Sequence, residues 1–319
     1  MIGPTLDAFA DAVDPSRLHV VSPTDFVFLC GGIRTELGKQ PPKSLRDAFY
    51  KINDFRPLRS AALWCAEDVQ LHEILRSNYK DWLSFEVDLA QLAKVTLVFA
   101  ESPGSMAEAG AFSAIPEIAR RMLLLIRSDH FEDSSFLSSG LADFMRDQYG
   151  DAANYVMDKN TLSLVGSKPS QQTSAELAKM LEVPVASRLS EIENPSTFDT
   201  KKTGHHIKLV VGLIQEFGAL TKEEISTLLI PFGLDINPQR IERYLMCAEA
   251  VEWIVRKRKG QKTFAAAREI SRPSANFFFK DDRMDATSSR RRIERRAEIK
   301  EADPDRFLAI QDGLGVSNG

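Results

Sequence analysis

Residues 95–112, with the sequence VTLVFAESPGSMAEAGAF, constrain the fold of this chain more than any other stretch. The apolar run at 95–99 predicts a buried strand, a Gly/Ser turn follows at 101–105, and a helix then begins with Glu108 in its first turn. Backbone N–H groups at such a helix start point outward and favour anions. A carboxylate at this place can lie beside a bound sugar phosphate and act on C1 of the sugar.

Strands and helices alternate through the first half of the chain. Short apolar runs predict strands at 25–29, 60–65, 95–99 and 122–126, with helical spacing between them, and residues 154–157 and 161–165 could pair as two further strands. This order predicts an α/β fold with a doubly wound, Rossmann-like parallel sheet, in which ligands bind at the carboxyl ends of the strands. Residues at three such ends are expected to converge as substrate-binding groups: Cys30, Gly31, Gly32, Glu67, Asp68, Glu101, Ser102, Gly104 and Ser105.

The second half of the chain is basic. Residues 201–300 hold 21 Lys and Arg against 13 Asp and Glu, a net charge of +8, whereas the rest carries 20 against 32, a net −12. Three helices are predicted here, at 207–217, 222–229 and 238–250, followed by a basic hairpin. The spacing of Thr221 and Glu224 predicts a capping box at the start of the second helix. This pattern predicts a winged helix-turn-helix. Nucleic-acid contact is expected at Arg256, Lys257, Arg258, Lys259 and Lys262, although a basic turn can also be simply solvated.

Composition changes divide the chain into five predicted segments. They are an N-terminal arm at 1–17, a catalytic domain at 18–166, a connecting segment at 167–204, the winged helix-turn-helix at 205–280 and a charged tail at 281–319. The connecting segment is predicted to hold one helix, at 174–181. The tail has no apolar period long enough to predict a core.

Several classes of protein are disfavoured by the sequence. The three cysteines, Cys30, Cys65 and Cys247, lack metal-like spacing and predict reduced, buried thiols. The His205-His206 pair has no Cys or carboxylate at ligand spacing beside it, so no metal site is expected. The first residues are not typical of a signal peptide, and no apolar run approaches the ~20 residues of a membrane span. A cytoplasmic protein without membrane association is therefore expected.

Two motifs resemble a known family. The run from Ser102 to Gly110, SPGSxxExG, resembles the D-x-G-T/S-x-x-E-x-G run of nucleoside 2-deoxyribosyltransferases. It is more similar to the deoxyribosyltransferase-like effectors of type II retrons, a bacterial anti-phage system, which pair FLCGG on the first strand with FPESPGSFTELGAFS on a later one. Here residues 28–32 read FLCGG and residues 99–113 read FAESPGSMAEAGAFS.

The resemblance implies an enzyme in which Glu108 attacks the anomeric carbon of a nucleotide. The leading substrate is NAD, split into nicotinamide and ADP-ribose, with no separate cofactor. The implied partners are a retron reverse transcriptase and its msDNA, an RNA-linked single-stranded DNA, which hold a toxic effector silent until phage infection. A homo-oligomer or a higher assembly is expected. One departure weakens the case for base exchange, since the transferases' aspartate is replaced here by Ser102.

Other interpretations of the same residues stay open at this point. The chain could be a nucleoside deoxyribosyltransferase of nucleotide salvage, although a basic winged helix has no role there. It could also be a non-catalytic nucleotide sensor joined to a DNA-binding regulator, in which Glu108 is dispensable. Locally, Glu108 could be an ordinary carboxylate at a helix start, the Gly31-Gly32 pair could serve turn geometry alone, and Asp68 could be an N-cap.

Overall fold

The structure is a computed structural model, and it describes residues 3–35, 42–52, 54–68, 78–131, 135–157, 171–192, 196–268, 272–281 and 288–315. The strands are β1 His19–Val20, β2 Phe26–Cys30, β3 Ala62–Trp64, β4 Val95–Ala100, β5 Met122–Arg127, β6 Asn154–Met157, β7 Ser196–Thr197, β8 Ala219–Leu220, β9 Ile254–Lys259, β10 Lys262–Ala267 and β11 Ala275–Asn276.

The α-helices are α1 Gly3–Ala12, α2 Leu45–Tyr50, α3 Trp82–Ala90, α4 Pro103–Ser113, α5 Pro116–Ala119, α6 Ser128–Phe131, α7 Asp143–Tyr149, α8 Gln171–Ser190, α9 Thr203–Phe217, α10 Lys222–Leu229, α11 Pro238–Ala250, α12 Ser288–Ala302 and α13 Pro304–Gly313. A π-helical stretch, Phe136–Ala142, leads into α7. The 3-10 turns are Pro15–Arg17, Arg56–Leu58, Ala66–Asp68, Asp151–Ala153 and Ile230–Phe232.

The chain folds into two compact units, each built from separate stretches of sequence. The sheet unit comprises 25–70 and 93–193, and the helical unit comprises 1–24, 71–92 and 194–319. The predicted domains were continuous, so their boundaries differ from those of the units. Helix α3 lies within the predicted catalytic domain but belongs to the helical unit, where its Asp88 accepts hydrogen bonds of 3.0 Å from both Tyr79 and Arg243.

A five-stranded parallel sheet in the order β3-β2-β4-β5-β6 forms the centre of the sheet unit. Its inner strands are nearly continuous apolar runs, as expected for strands covered on both faces. Helices α2 and α8 pack on the face that carries Val27 and Leu29, while Phe112 of α4 packs against Phe28, which points the opposite way. The predicted parallel α/β sheet is confirmed.

Helix α8 is longer than the sequence indicated. A helix at 174–181 was predicted within a connecting segment, whereas α8 continues to Ser190 with Pro184 inside it. Its buried Leu177, Leu181 and Val185 join the core of the sheet unit, so burial of this face stabilises the longer helix. A predicted strand at 161–165 lies outside the described residues.

The helical unit contains α9, α10 and α11 followed by the hairpin of β9 and β10, at the places that the sequence predicted. Strands β8, β10 and β9 form an antiparallel sheet in that order. The side chains of Thr221 and Glu224 form the predicted capping box at the start of α10. Almost every residue of α9 is buried, so this helix is the centre of the unit.

Both chain ends pack more closely than expected. The predicted N-terminal arm contains α1, whose buried Phe9 makes edge-to-face contacts with three other phenylalanine rings. In the predicted charged tail, Ile299 and Ile310 are buried. Arg306 is 1% exposed and bonds to the Glu224 carboxylate and the Ala219 carbonyl. Buried arginines thus anchor a tail that lacks an apolar period. Of the helices that the structure describes, none is long and apolar enough to cross a membrane.

Candidate active site

Glu108 is presented by a helix whose start is closely specified by the local sequence. Ser102 is the N-cap of α4 and Pro103 is its first residue, and the Ser102 and Ser105 side chains cap each other's backbone amides. This start at Pro103 places Glu108 in the second turn of the helix, whereas the first turn was predicted. Ser102 and Ser105, predicted to contact substrate, therefore also form the cap that orients this helix.

The Glu108 carboxylate is half-buried at the carboxyl end of β2. The Cys30 thiol hydrogen bonds to it, and the positive charge of Arg46 favours its ionised form. Burial outweighs both effects, so the pKa of Glu108 is raised above its usual value. Its second oxygen, Oε2, is buried and has no hydrogen-bond partner among the described residues. The site thus holds a carboxylate with one oxygen fixed and the other unpaired.

Glu101 binds the protein's own backbone. Its Oε1 accepts hydrogen bonds from the Gly32 amide at 2.9 Å and the Arg46 amide at 3.0 Å, and its Oε2 accepts one from the Leu45 amide at 2.7 Å. The carboxylate therefore satisfies amides at the start of α2. Glu101 was predicted to contact the substrate. In the structure its carboxylate instead bonds to backbone amides and so supports the fold around the site.

The three predicted glycines have different surroundings. A Cβ on Gly31 would lie 2.5 Å from Cβ of Arg46, and one on Gly32 would lie 2.7 Å from Cβ of Ser44. These two glycines permit close packing of α2 on the end of β2. A Cβ on Gly104 would meet only the Ser102 hydroxyl, at 3.9 Å. The space above the first turn of α4 is therefore open, as a bound ligand would require.

One arginine–carboxylate pair lies near Glu108, and a second lies near the first. Arg46 forms a bidentate pair with Glu67, with distances of 2.7 and 3.1 Å. Arg34 pairs with Asp68 at 2.5 Å and stacks on a tyrosine ring. Asp68 also accepts a hydrogen bond from the Cys65 amide, and burial raises the pKa of the Cys65 thiol to about 12. Residues from the ends of β2, β3 and β4 therefore lie close together, as the strand-end rule predicted. Two arginines that were not predicted, Arg34 and Arg46, lie among them.

The end of β5 contributes further polar groups. Arg127 and Asp129 form a bidentate pair, and a ring nitrogen of His130 lies 3.3 Å from the Ala100 carbonyl. The Ser128 hydroxyl is buried without a hydrogen-bond partner among the described residues. These residues were not predicted, although the rule applied to the other strand ends also selects Arg127 and Ser128. Arg34 and Arg46 have no comparable signal, because they lie in and beyond the turn after β2.

The predicted nucleic-acid contacts divide into paired and unpaired side chains. Arg256 bonds to Glu249 and Glu242, and Lys259 forms an ion pair of 2.9 Å with Asp312 of α13. For the other three predicted residues the described part of the chain shows no such partner: Arg258 and Lys262 are exposed, and Lys257 is half-buried. The outward positive charge of the hairpin is therefore smaller than its sequence suggested.

Comparison with known proteins identifies the family. Within the described residues, no group of three or more His, Cys, Asp or Glu side chains could hold a metal ion. No curated protein matches the chain significantly. The family described as STM3845 retron effector protein matches residues 42–257, which is 216 of the 319 residues and includes Arg46, Glu67, Glu101 and Glu108. This chain belongs to the family of STM3845 retron effector proteins, and is thus an effector of anti-phage defence.

Proposed function

We propose that the sheet unit is an N-glycosidase that hydrolyses NAD to nicotinamide and ADP-ribose, with Glu108 as the nucleophile. The proposal rests on the position of the Glu108 carboxylate and on its unpaired oxygen. This carboxylate lies at the carboxyl edge of a parallel sheet, next to the Cys30 thiol, and its Oε2 is buried and unpaired among the described residues. A buried acceptor without a partner is costly, and such groups concentrate where a ligand completes the bonding.

The proposed reaction has two steps. The unpaired oxygen of Glu108 attacks C1 of the ribose attached to nicotinamide, and the N-glycosidic bond breaks with its electron pair going to the ring nitrogen. Water then attacks the same carbon of the glycosyl-enzyme ester, releasing ADP-ribose and the Glu108 carboxylate. The proton lost by that water passes to solvent or to a neighbouring base.

NAD suits this site better than a neutral nucleoside. Nicotinamide in NAD is a cationic pyridinium, and it becomes neutral when it takes the bond's electron pair, so its departure needs no proton donor. The aspartate of the transferases is replaced here by Ser102, whose hydroxyl caps α4. The absence of an acid at this position is compatible with a substrate whose leaving group is already cationic.

The helical unit is proposed to contact the partners that hold the effector silent. Helices α9, α10 and α11 with the β8-β10-β9 sheet have the element order of a winged helix-turn-helix. Lys257, Arg258 and Lys262 supply charge that fits a phosphate backbone. We assign this surface to a retron reverse transcriptase with its msDNA, as the resemblance implies.

Expression of the effector without its retron partners tests the proposal in cells. The wild-type chain should arrest growth and deplete cellular NAD, whereas Glu108→Gln should do neither at equal protein level. The matched control is Glu117→Gln, which alters a carboxylate in α5 of the same unit and should behave as wild type. Growth arrest without loss of NAD would leave a toxic effector with a different substrate. Equal toxicity of Glu108→Gln would remove Glu108 from the chemistry.

A further inference from the structure

The Arg46–Glu67 pair beside Glu108 is unequally buried. The two side chains share a bidentate contact, yet only 5% of the Arg46 side chain is exposed against 52% for Glu67. The guanidinium is thus almost fully buried, and both of its terminal nitrogens bond to the Glu67 carboxylate. Moving Glu67 away would leave a buried positive charge without its ion-pair partner, so that an anionic ligand could take its place.

Arg46 is held in place independently of Glu67. Its backbone amide bonds to Glu101 at 3.0 Å, and its Cβ packs so closely on Gly31 that no side chain would fit there. Its Nε is buried and has no hydrogen-bond partner in the described part of the chain. The guanidinium is therefore fixed in position, and one of its N–H groups makes no hydrogen bond within the described residues. A planar guanidinium held in this way is well suited to bind the oxygens of a phosphate.

Glu67 is held less firmly. It lies in the 3-10 turn Ala66–Asp68 after β3, its neighbour Asp68 is the residue that anchors this turn to the Cys65 amide, and half of the Glu67 side chain faces solvent. An exposed carboxylate gains little from an ion pair, because water solvates it well when the pair opens. A phosphate brings more charge and more acceptor oxygens to the same guanidinium.

We infer that the Arg46 guanidinium binds a phosphate group of the substrate. In the absence of substrate, the Glu67 carboxylate occupies this binding position, which is called the phosphate seat below. The inference rests on the proposed function and names its substrate class as phosphorylated nucleosides rather than free nucleosides. The inference also explains how the carboxyl edge of the sheet, which carries several carboxylates, binds the anionic substrate of the proposed reaction. Phosphate replaces one carboxylate on Arg46 instead of adding to the negative charge of Glu67, Glu101 and Glu108.

Arg34 adds a second cation near this seat, since the charges of Arg34 and Arg46 both act on Glu67 and on Cys65. Its NH1 is buried without a hydrogen-bond partner among the described residues, while NH2 pairs with Asp68. Arg34 stacks on the Tyr50 ring at 4.8 Å, which fixes the plane of its guanidinium. A diphosphate such as that of NAD could therefore interact with both arginines, whereas the riboside that lacks phosphate would meet neither.

Calorimetric binding to protein carrying Glu108→Gln tests the inference without requiring cleavage. The two ligands are NAD and nicotinamide riboside, which share the reactive ribose and base but differ in the phosphates. Changing Arg46 to Gln should weaken NAD binding by about ten-fold or more and leave riboside binding within about two-fold. Changing Glu67 to Gln should tighten NAD binding several-fold, because it removes the competitor. Arg59→Gln, which breaks an exposed pair with Asp54, is the matched control and should alter neither affinity.

NAD affinity is expected to fall in Arg46→Gln and to rise in Glu67→Gln. These opposite changes distinguish a phosphate seat from an ion pair that only stabilises the fold. Weaker NAD binding in Glu67→Gln, or equal losses for both ligands in Arg46→Gln, would overturn the inference. Glu67 is half exposed, so its variant folds even if that of buried Arg46 does not. Binding of NAD with the expected pattern, but without nicotinamide release by the wild type, would keep the seat and reject the proposed reaction. No measurable NAD binding would reject both.

Discussion

The carboxylate of Glu101 accepts a hydrogen bond of 2.9 Å from the backbone amide of Gly32, which joins the end of β4 to the turn after β2. The same carboxylate accepts bonds from the Leu45 and Arg46 amides at the start of α2. One side chain thus sets the positions of the glycine turn and of Arg46. Because Cys30 immediately precedes this turn, Glu101 also fixes the strand end that holds Glu108.

Glu101→Gln should destabilise the sheet unit. A glutamine turns one acceptor oxygen into an NH2 group, which would face either the Gly32 and Arg46 amides or the Leu45 amide. We expect a loss of about 1–3 kcal/mol in the free energy of unfolding, measured by urea denaturation. Glu117→Gln is the control and should unfold as wild type. Unchanged stability combined with a higher KM for NAD would instead make Glu101 a substrate contact.

Glu108→Gln should stabilise the fold at neutral pH while abolishing activity. Burial raises the pKa of Glu108, so the ionised carboxylate is disfavoured in the folded state relative to the unfolded chain. The wild type therefore loses stability as pH rises from the ordinary value of 4.5 through the raised one, and the neutral glutamine does not. Thermal unfolding at pH 7.5 should show a higher Tm for the variant, with the difference shrinking toward pH 4. A lower Tm at both pH values would contradict this account.

Alanine at Gly104 and at Gly31 should have opposite effects on folding. Gly104 is in the first turn of α4 with open space around it, so alanine there should keep or slightly raise stability, by up to about 1 kcal/mol. Loss of NAD hydrolysis in this stable variant would show that substrate lies over the turn. Alanine at Gly31 would collide with Arg46, so that variant should have a lower Tm. Equal Tm values for the two variants would contradict the packing described above.

Two sets of hairpin substitutions should separate nucleic-acid contact from folding. Changing Lys257, Arg258 and Lys262 to Glu should weaken binding of single-stranded DNA and flatten its salt dependence, with little change in Tm. Changing Arg256 to Ala should lower Tm, because it leaves Glu242 and Glu249 without their shared cation. Salt-dependent DNA binding that survives the triple change would place the nucleic-acid surface elsewhere, or make this region a protein-docking surface.

The sequence was most informative where local patterns decide the structure. The strand of residues 95–99, the turn and helix that follow it and the capping box at Thr221 follow from side-chain chemistry within a few residues, and the structure has elements at each. The strand-end rule selected Cys30, Glu67 and Glu101, and the structure places these residues at the ends of β2, β3 and β4. These features need no knowledge of distant parts of the chain.

The remaining features depend on contacts between distant residues. Arg46 lies near enough for its charge to act on Glu108 because Gly31 and Glu101 position α2, and neither contact has a periodic signal in the sequence. In the tail, two arginines of α12 face inward: Arg291 and Arg295 bond to buried Glu216, and Arg295 stacks on Phe217. A basic run is ordinarily assigned to solvent. A buried carboxylate on another helix reverses that expectation, and it cannot be identified from the run itself.

The rate of nicotinamide release from NAD by the purified protein tests the central claim most directly. Wild-type protein and Glu117→Gln should release nicotinamide and ADP-ribose in equal amounts, and Glu108→Gln should be slower by about three orders of magnitude or more. The Glu108→Gln protein should remain folded, as its Tm would show. Release of nicotinamide by folded Glu108→Gln at the wild-type rate would contradict the assignment of Glu108 as the nucleophile. A wild-type protein that arrests growth but releases no nicotinamide would contradict the assignment as an NAD glycohydrolase.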